Sequence, residues 1–480
     1  MWRPDPEARP WLALIAVLYA VAAIRLPGYL HPDEHFQTLE WARYALGYVP
    51  AEQLPWEFEA RIRPWLQPAL YALIGHLPGL HDGFSFALAC RLLTAGLAWT
   101  GVAMLGARFK QWFPDPRLRR IAWAASATFY LLPVLRVRTS SESLGAALFM
   151  MGLAVLTRPR TEATTRRWDL LGGLALGLAF STRYQLGFMI LGLVGWQLLV
   201  AQHRRALLRS LIGAAAGVAA GLIADRWGYG EWQLTPWRYA YENLAMGRAA
   251  SFGVHPLSAY IGFIWHDLAL PFNLIALLAL PLALWRSARH PLVWVNLPFV
   301  LGHSLVGHKE LRFLFPYLFF VPVLAVLATG PWLQTAPRRV LRPLLAILAA
   351  LNLWWLALDR HPNLSAGPEL RALTAQELPV HHGNRDPFGR DGLHTWLFAP
   401  HTHSTSKSAL KAASSTTAEL YYLYQRTPSA LPEPLEQACE RLYLRPWPWR
   451  VFPQAWLTHK NGRRIFFTHE RHAVYLCPGS

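Results

Sequence analysis

Residues 11–37 read WLALIAVLYAVAAIRLPGYLHPDEHFQ: an apolar run, a Pro-Gly break, then two adjacent carboxylates. The run suits a membrane helix, and no small-residue cleavage site follows it, so it is expected to stay as an anchor. Carboxylates at the mouth of a membrane helix are costly to bury and available for chemistry. The stretch therefore predicts a membrane enzyme whose reacting groups lie at one face of the bilayer.

Composition agrees outward from that point. Of 480 residues, 53% are hydrophobic and 15% charged, where soluble domains carry about 25% charged residues. Further apolar runs lie at 84–106, 121–137, 143–157, 169–182, 186–201, 210–224, 259–284, 291–307, 313–330 and 343–358. With 10–28 they predict about 11 spans, an all-α polytopic protein over 1–358. Residues 359–480 are polar and Pro- and His-rich, and predict a small mixed α/β extramembrane domain. Within it, 381–416 reads as a mobile loop and Lys460-Asn-Gly-Arg463 as a hairpin turn.

The net charge of +18 raises nucleic-acid binding as a class. Its placement argues otherwise. Arg clusters fill every second loop, at 108–120, 158–167, 204–209, 286–289 and 338–342, as the positive-inside rule requires. The first opposite loop, 31–83, has three Arg against seven acids. No nucleic-acid partner is expected; membrane lipids are. The parity puts 31–83 and 359–480 on the same, non-cytoplasmic side. Cys90 reads as a packing residue, whereas Cys439 and Cys477 are able to pair in an oxidising compartment.

Four groups of residues carry candidate chemistry. Pro32 suits a first helical position, with His31 as cap and Asp33, Glu34 in the first turn. Acids there also simply complement the helix dipole. His308, Lys309 and Arg312 on one turn are suited to an anion such as a lipid phosphate, with Glu310 steadying them. The alternative is a juxtamembrane anchor. Asp225-Arg-Trp-Gly-Tyr-Gly230, leading to Thr235-Pro236 and Asn243, suits either sugar stacking or an interfacial loop. Arg138-Thr-Ser-Ser-Glu-Ser143 and Arg183 place polar groups at the outer ends of spans. His381, His382, His401 and His403 match no closed zinc spacing, and no metal site is expected.

Together these segments resemble the family-22 membrane mannosyltransferases, which include the glycosylphosphatidylinositol and asparagine-glycan mannosyltransferases. His31 to Gln37 resembles the family signature. Pro55-Trp-Glu57 with Ile62-Arg-Pro-Trp65, Arg138 to Leu144, Asp225 to Gly230 with Thr235-Pro236, and His308 to Leu314 resemble its further elements in order. Glu142 stands where Asn is usual, and Phe398 to Ser404 lacks the Cys of the family's Pro-Cys-His-Ser motif. The Arg-, Ala- and Leu-rich chain looks like a bacterial member.

The resemblance implies a GT-C fold and an inverting transfer of mannose from a polyprenyl-phosphate donor to a glycan or glycolipid hydroxyl. It implies Asp33 as general base with Glu34 holding the acceptor or sharing that role, His308, Lys309 and Arg312 on the donor phosphate, and His31, Gln37, Arg138, Asp225 and Tyr229 on substrate. No cofactor or divalent metal is expected. The site would face the periplasm from a bacterial inner membrane, or the endoplasmic-reticulum lumen in a eukaryote. Rival readings are a transporter or flippase of lipid-linked glycan, a non-catalytic subunit of a glycan-assembly complex, and a transferase using another polyprenyl-phosphate sugar.

Overall fold

The computed structural model describes residues 6–129, 131–159, 165–268, 270–335, 337, 339–344, 346–347, 350–351, 367–376, 378–383, 385–390, 393–395, 404–425, 431–445 and 471–478. Most are helical. Among the described residues two helices, Gly83–Trp112 and Arg204–Tyr229, are long and apolar enough to cross a membrane. Leu311–Leu318 and Val321–Thr335 reach that length and apolarity only as a pair, and they meet at a 56° bend. Leu66–Gly75, Ser141–Leu156, Tyr184–Val200, Phe272–Ser287 and Pro291–Leu305 are apolar but shorter.

The helices therefore do not confirm the eleven spans expected from the sequence. The 259–284 run shows one reason: it is two helices, Ala259–Asp267 and Phe272–Ser287, and the ring of Pro271 between them cannot continue a helix. The run 343–358 lies largely outside the described residues.

The chain forms two compact units. The first comprises Met1–Ala23, Glu57–Leu70 and Cys90–Leu356. Its tightest pairing sets Thr165–Thr182 against Arg204–Tyr229. Gly213, Gly217 and Gly221 recur every four residues on one helix, opposite Gly173 and Gly177 on the other. A Cβ on Gly177 would stand 2.1 Å from the Ala214 carbonyl oxygen, and one on Gly213 2.1 Å from that of Leu170. Backbone thus lies on backbone, the means by which helices associate where lipid removes the hydrophobic drive. Gly177→Val is expected to force the pair apart, with loss of monodisperse protein on size-exclusion chromatography; a variant eluting and melting like wild type would contradict this packing.

Buried cations brace the same unit. Arg136, 2% exposed, donates to the Tyr19 hydroxyl at 3.0 Å and the Phe319 carbonyl at 2.9 Å. Three elements far apart in sequence meet on one guanidinium.

The second unit comprises Ile24–Trp56, Tyr71–Ala89 and Ala357–Ser480. Among the described residues seven strands lie in its C-terminal part: β1 Val380–His382, β2 Gly389–Arg390, β3 Leu393–His394, β4 Ser404–Ser406, β5 Glu419–Gln425, β6 Glu440–Arg445 and β7 Arg471–Cys477. Five form a sheet in the order β4-β1-β5-β7-β6, with β1 parallel to both β4 and β5 and the rest antiparallel. Tyr421 faces Tyr475 across β5 and β7, and Leu435, Ala412 and Ala473 complete the core. A Cys439–Cys477 disulfide ties β7 to the residue preceding β6, and Cys90 is a buried thiol.

The segment expected to be a mobile loop, 381–416, instead holds β1 to β4 and a helix, Ala409–Ala413. Strands of two or three residues are too short to leave an alternating pattern. His401, His403, the 398–403 stretch and Lys460 to Arg463 lie outside the described residues.

Candidate active site

In the second unit, the acidic stretch is a helix entry built as its sequence suggests. Pro32 fixes the first turn and His31 caps it, accepting from the Asp33 N–H at 3.2 Å through Nδ1. That nitrogen therefore presents its lone pair, so its 3.3 Å approach to Asp33 Oδ1 is not an ion pair. The adjacent acid completes a capping box: Glu34 Oε1 accepts from the backbone N–H groups of Leu30 and of His31, the latter at 3.4 Å.

The two carboxylates thus part company. Glu34 is 2% exposed and holds backbone, while the Asp33 side chain is 23% exposed. The helix then widens into a π turn over His35–Leu39, a form that often marks functional sites. On it, Gln37 is half-buried between the buried Phe36 and Thr38.

His35 is 1% exposed, with Nε2 2.9 Å from Glu40 Oε1 and 2.9 Å from the Thr395 hydroxyl. This joint ties the first loop to the end of β3, and nothing in the sequence announced it. Arg43 adds a hydrogen bond to the His81 carbonyl at 3.0 Å.

In the first unit, the remaining motifs gather into two linked clusters. One is a clamp for the turn 61–65. Asp225 Oδ1 accepts the Trp65 N–H at 2.7 Å, and the Tyr229 hydroxyl donates to the Arg63 carbonyl at 2.8 Å. Trp65 is fully buried, edge-on to Trp227 and Tyr229 with centroids 5.8 and 5.9 Å away. Gly228 makes this fit possible, because a Cβ there would lie 2.0 Å from the indole. Arg61 takes a positive φ of 55° and pairs with Glu231, and Arg63 pairs with Glu57 at 3.4 Å.

The sequence reading put Asp225 and Tyr229 on substrate. The structure gives both of them partners within the chain, and the aromatic stack expected for a sugar receives Trp65. Asp225→Ala would leave the buried Trp65 N–H without its acceptor, at a cost of about 1–3 kcal/mol. Limited trypsin digestion should then cut after Arg61 in the variant well before wild type. An equal cutting rate would mean that the carboxylate does not hold the turn.

The other cluster surrounds Phe313. Glu310 grips Arg312 with both oxygens, at 2.7 and 3.2 Å, and takes His308 Nε2 at 3.0 Å. His308 Nδ1 faces the Gly253 carbonyl at 3.1 Å. Both ring nitrogens thus meet oxygen partners. Glu310 holds Arg312 and His308 together.

Lys309 behaves differently. It is 2% exposed, and its ammonium donates to the carbonyls of His255 at 3.1 Å, Val306 at 2.5 Å and Gly307 at 3.4 Å. It caps the end of Pro291–Leu305, where the helix dipole favours a cation. The sequence placed it beside the donor phosphate; its three donors are already directed at backbone.

Arg183 closes the cluster from the other side. Its NH2 lies 2.9 Å from Glu142 Oε1, both side chains being buried. Arg183 and Arg312 both face the Phe313 ring, their guanidinium carbons 5.4 and 5.0 Å from its centroid. Arg138 is 2% exposed, and Ser140 caps the following helix by accepting the Ser143 N–H at 3.2 Å. Gln67 holds the same segment through the Thr139 carbonyl at 2.8 Å. The clusters join where Tyr239 receives a hydrogen bond from Gln185 and meets Tyr184 edge-on, with Arg63 5.9 Å from its ring. Among the described residues no group of three or more His, Cys, Asp or Glu is placed to hold a metal ion.

This arrangement has known relatives. The model of the Alg9-like mannosyltransferase family matches residues 10–366, a stretch holding Asp33, Trp65, Glu142, Arg183, Asp225 and Arg312. The chain belongs to that family. GPI mannosyltransferase 3 of Emericella nidulans is 28% identical over 347 residues, covering 69% of this chain and 46% of the relative. Human GPI alpha-1,2-mannosyltransferase 4 is 28% identical over 382 residues, covering 68% and 64%. The chain thus spans about half to two thirds of the length of these Alg9-like relatives. In solved structures, ArnT from Cupriavidus metallidurans bound to undecaprenyl phosphate shares the fold, with a TM-score of 0.53 at 13% identity, over 98% of this chain and 97% of that one. The Alg9-like chain therefore has the GT-C architecture expected of it, with a small C-terminal sheet.

Proposed function

We propose that the protein is an inverting mannosyltransferase that moves mannose from a polyprenyl-phosphate donor to a hydroxyl of a glycan or glycolipid. Asp33 is the general base. It takes the acceptor's proton as that oxygen attacks the anomeric carbon, and its charge favours the oxocarbenium-like transition state. The observation that carries the choice of acid is the division of labour in the capping box: Glu34 is buried on backbone N–H groups, and Asp33 is the accessible carboxylate.

His308 and Arg312, steadied by Glu310, neutralise the departing phosphate. Lys309 acts one step back, holding the loop that presents them. A phosphate leaving group needs little protonation, so one carboxylate suffices, unlike the pair that shares the work in glycoside hydrolysis. His31, Gln37 and Arg138 are placed on substrate in this reading, and no cofactor or divalent metal takes part. The site faces the non-cytoplasmic side, the periplasm of a bacterial cell or the lumen in a eukaryote. That side is supported by the alternation of basic loops and by the Cys439–Cys477 disulfide, a bond of oxidising compartments.

The sugar is tested by offering purified protein a panel of polyprenyl-phosphate sugars and weighing the products. A hexose increment from the mannosyl donor alone supports the reading. Transfer only from another polyprenyl-phosphate sugar would keep the enzyme class and replace mannose.

A further inference from the structure

Around the Phe313 cluster, two buried side chains each have a polar atom with no hydrogen-bond partner among the described residues. Tyr260, on the helix Ala259–Asp267, is 4% exposed, and its hydroxyl is unbonded. Its helix packs against Leu311–Leu314, the turn that carries Arg312 and Phe313, and the hydroxyl lies within electrostatic reach of Glu310 and Arg183. His303 is also 4% exposed. Its Nδ1–H donates to the Phe299 carbonyl at 2.9 Å, leaving Nε2 unbonded within reach of Arg183 and Glu142. Its ring stands 6.3 Å from that of Phe313.

Buried hydroxyls and imidazoles are normally satisfied, and a pair left unbonded around one guanidinium needs an explanation. Arg183 itself is held by Glu142 through NH2 and by Ser141 through NH1 at 3.4 Å, so its position is fixed while further N–H groups remain to donate. Across Phe313 stands Arg312, already assigned to the phosphate.

We propose that Tyr260 and Arg183 form the second half of the leaving-group site, Tyr260 donating its O–H and Arg183 its charge to a phosphate oxygen of the lipid-linked sugar. This rests on the reading of the chain as a polyprenyl-phosphate-sugar transferase. In the reaction the acceptor oxygen bonds to the anomeric carbon as the bond from that carbon to the phosphate oxygen breaks. The bonding pair goes to the phosphate and the acceptor's proton to Asp33. The phosphate thereby passes from a diester monoanion to a monoester dianion. A donor aimed at the oxygen that gains this charge is worth more in the transition state than in the ground state. Glu142 is a positioning residue: it holds Arg183 and moderates its charge.

The test is Tyr260→Phe, which removes one unbonded oxygen and leaves the ring packing intact. Transfer should fall by about a hundred-fold in kcat, with donor KM changed little and the unfolding midpoint at or above that of wild type. Wild-type kcat in this variant would overturn the proposal, and would mean that the hydroxyl is only a packing group or meets a water. Binding of polyprenyl monophosphate and of the uncharged polyprenol, measured on the full chain in nanodiscs, separates this proposal from the function it rests on. If wild type transfers no sugar from any polyprenyl-phosphate donor, the proposed function fails. The anion site then stands only if wild type prefers the monophosphate to the alcohol and Tyr260→Phe lowers that preference at least several-fold. Equal preference in both proteins would overturn it.

Discussion

Asp33→Asn should abolish sugar transfer, lowering the rate by about 10²–10⁴-fold while leaving membrane insertion and the unfolding midpoint unchanged. The substitution is isosteric. The Asp33 backbone N–H donates to His31 at the helix entry, and asparagine keeps that bond. Glu34→Gln is the informative companion. Its carboxylate accepts the Leu30 and His31 N–H groups, and a carboxamide oxygen still accepts them, so activity should drop far less. If Asp33→Asn turned over at the wild-type rate and Glu34→Gln did not, the roles of the two acids would be reversed.

Arg312→Ala should weaken donor binding on the order of a hundred-fold, the scale on which one member of a hydrogen-bonded charge pair matters. The guanidinium makes a two-point contact with Glu310, a carboxylate that also takes His308 Nε2, so its loss also disturbs the hold on His308. Donor KM is the quantity to follow, with acceptor KM as the control. A rise in donor KM alone locates the effect at the phosphate. Equal rises in both would mean that the change loosens the loop between Gly307 and Leu314, and the phosphate assignment would fall.

The sequence displayed the helices well where apolarity and length coincide. The run 84–106 became Gly83–Gly106, and 291–307 became Pro291–Leu305. It failed where proline divides a run, at Pro271, because hydropathy averages over the break. One legible signal was passed over: Gly213, Gly217 and Gly221 at four-residue spacing announce a close helix contact in lipid.

The candidate site divides in the same way. The acidic cap at His31 to Glu34 was readable because capping is local. The fate of Lys309, Asp225 and Tyr229 was not, because each is settled by a partner distant in sequence: the His255 carbonyl, the Trp65 N–H and the Arg63 carbonyl. Tyr260 and His303 each stand as lone polar groups in apolar runs, where nothing in the pattern separates them from packing residues. Only the fold brings them within reach of Arg183. His35 and Thr395, 360 residues apart, are the extreme case.

The most direct measurement follows label and lipid together. Purified protein is sealed in vesicles with polyprenyl-phosphate [¹⁴C]mannose and an acceptor glycolipid on one side, and both products are counted. The account requires one polyprenyl monophosphate for each mannose appearing as an α-mannoside, with no gradient and with none formed by the Asp33→Asn protein. Label that stays on its lipid and merely changes leaflet would make the protein a transporter and contradict the account.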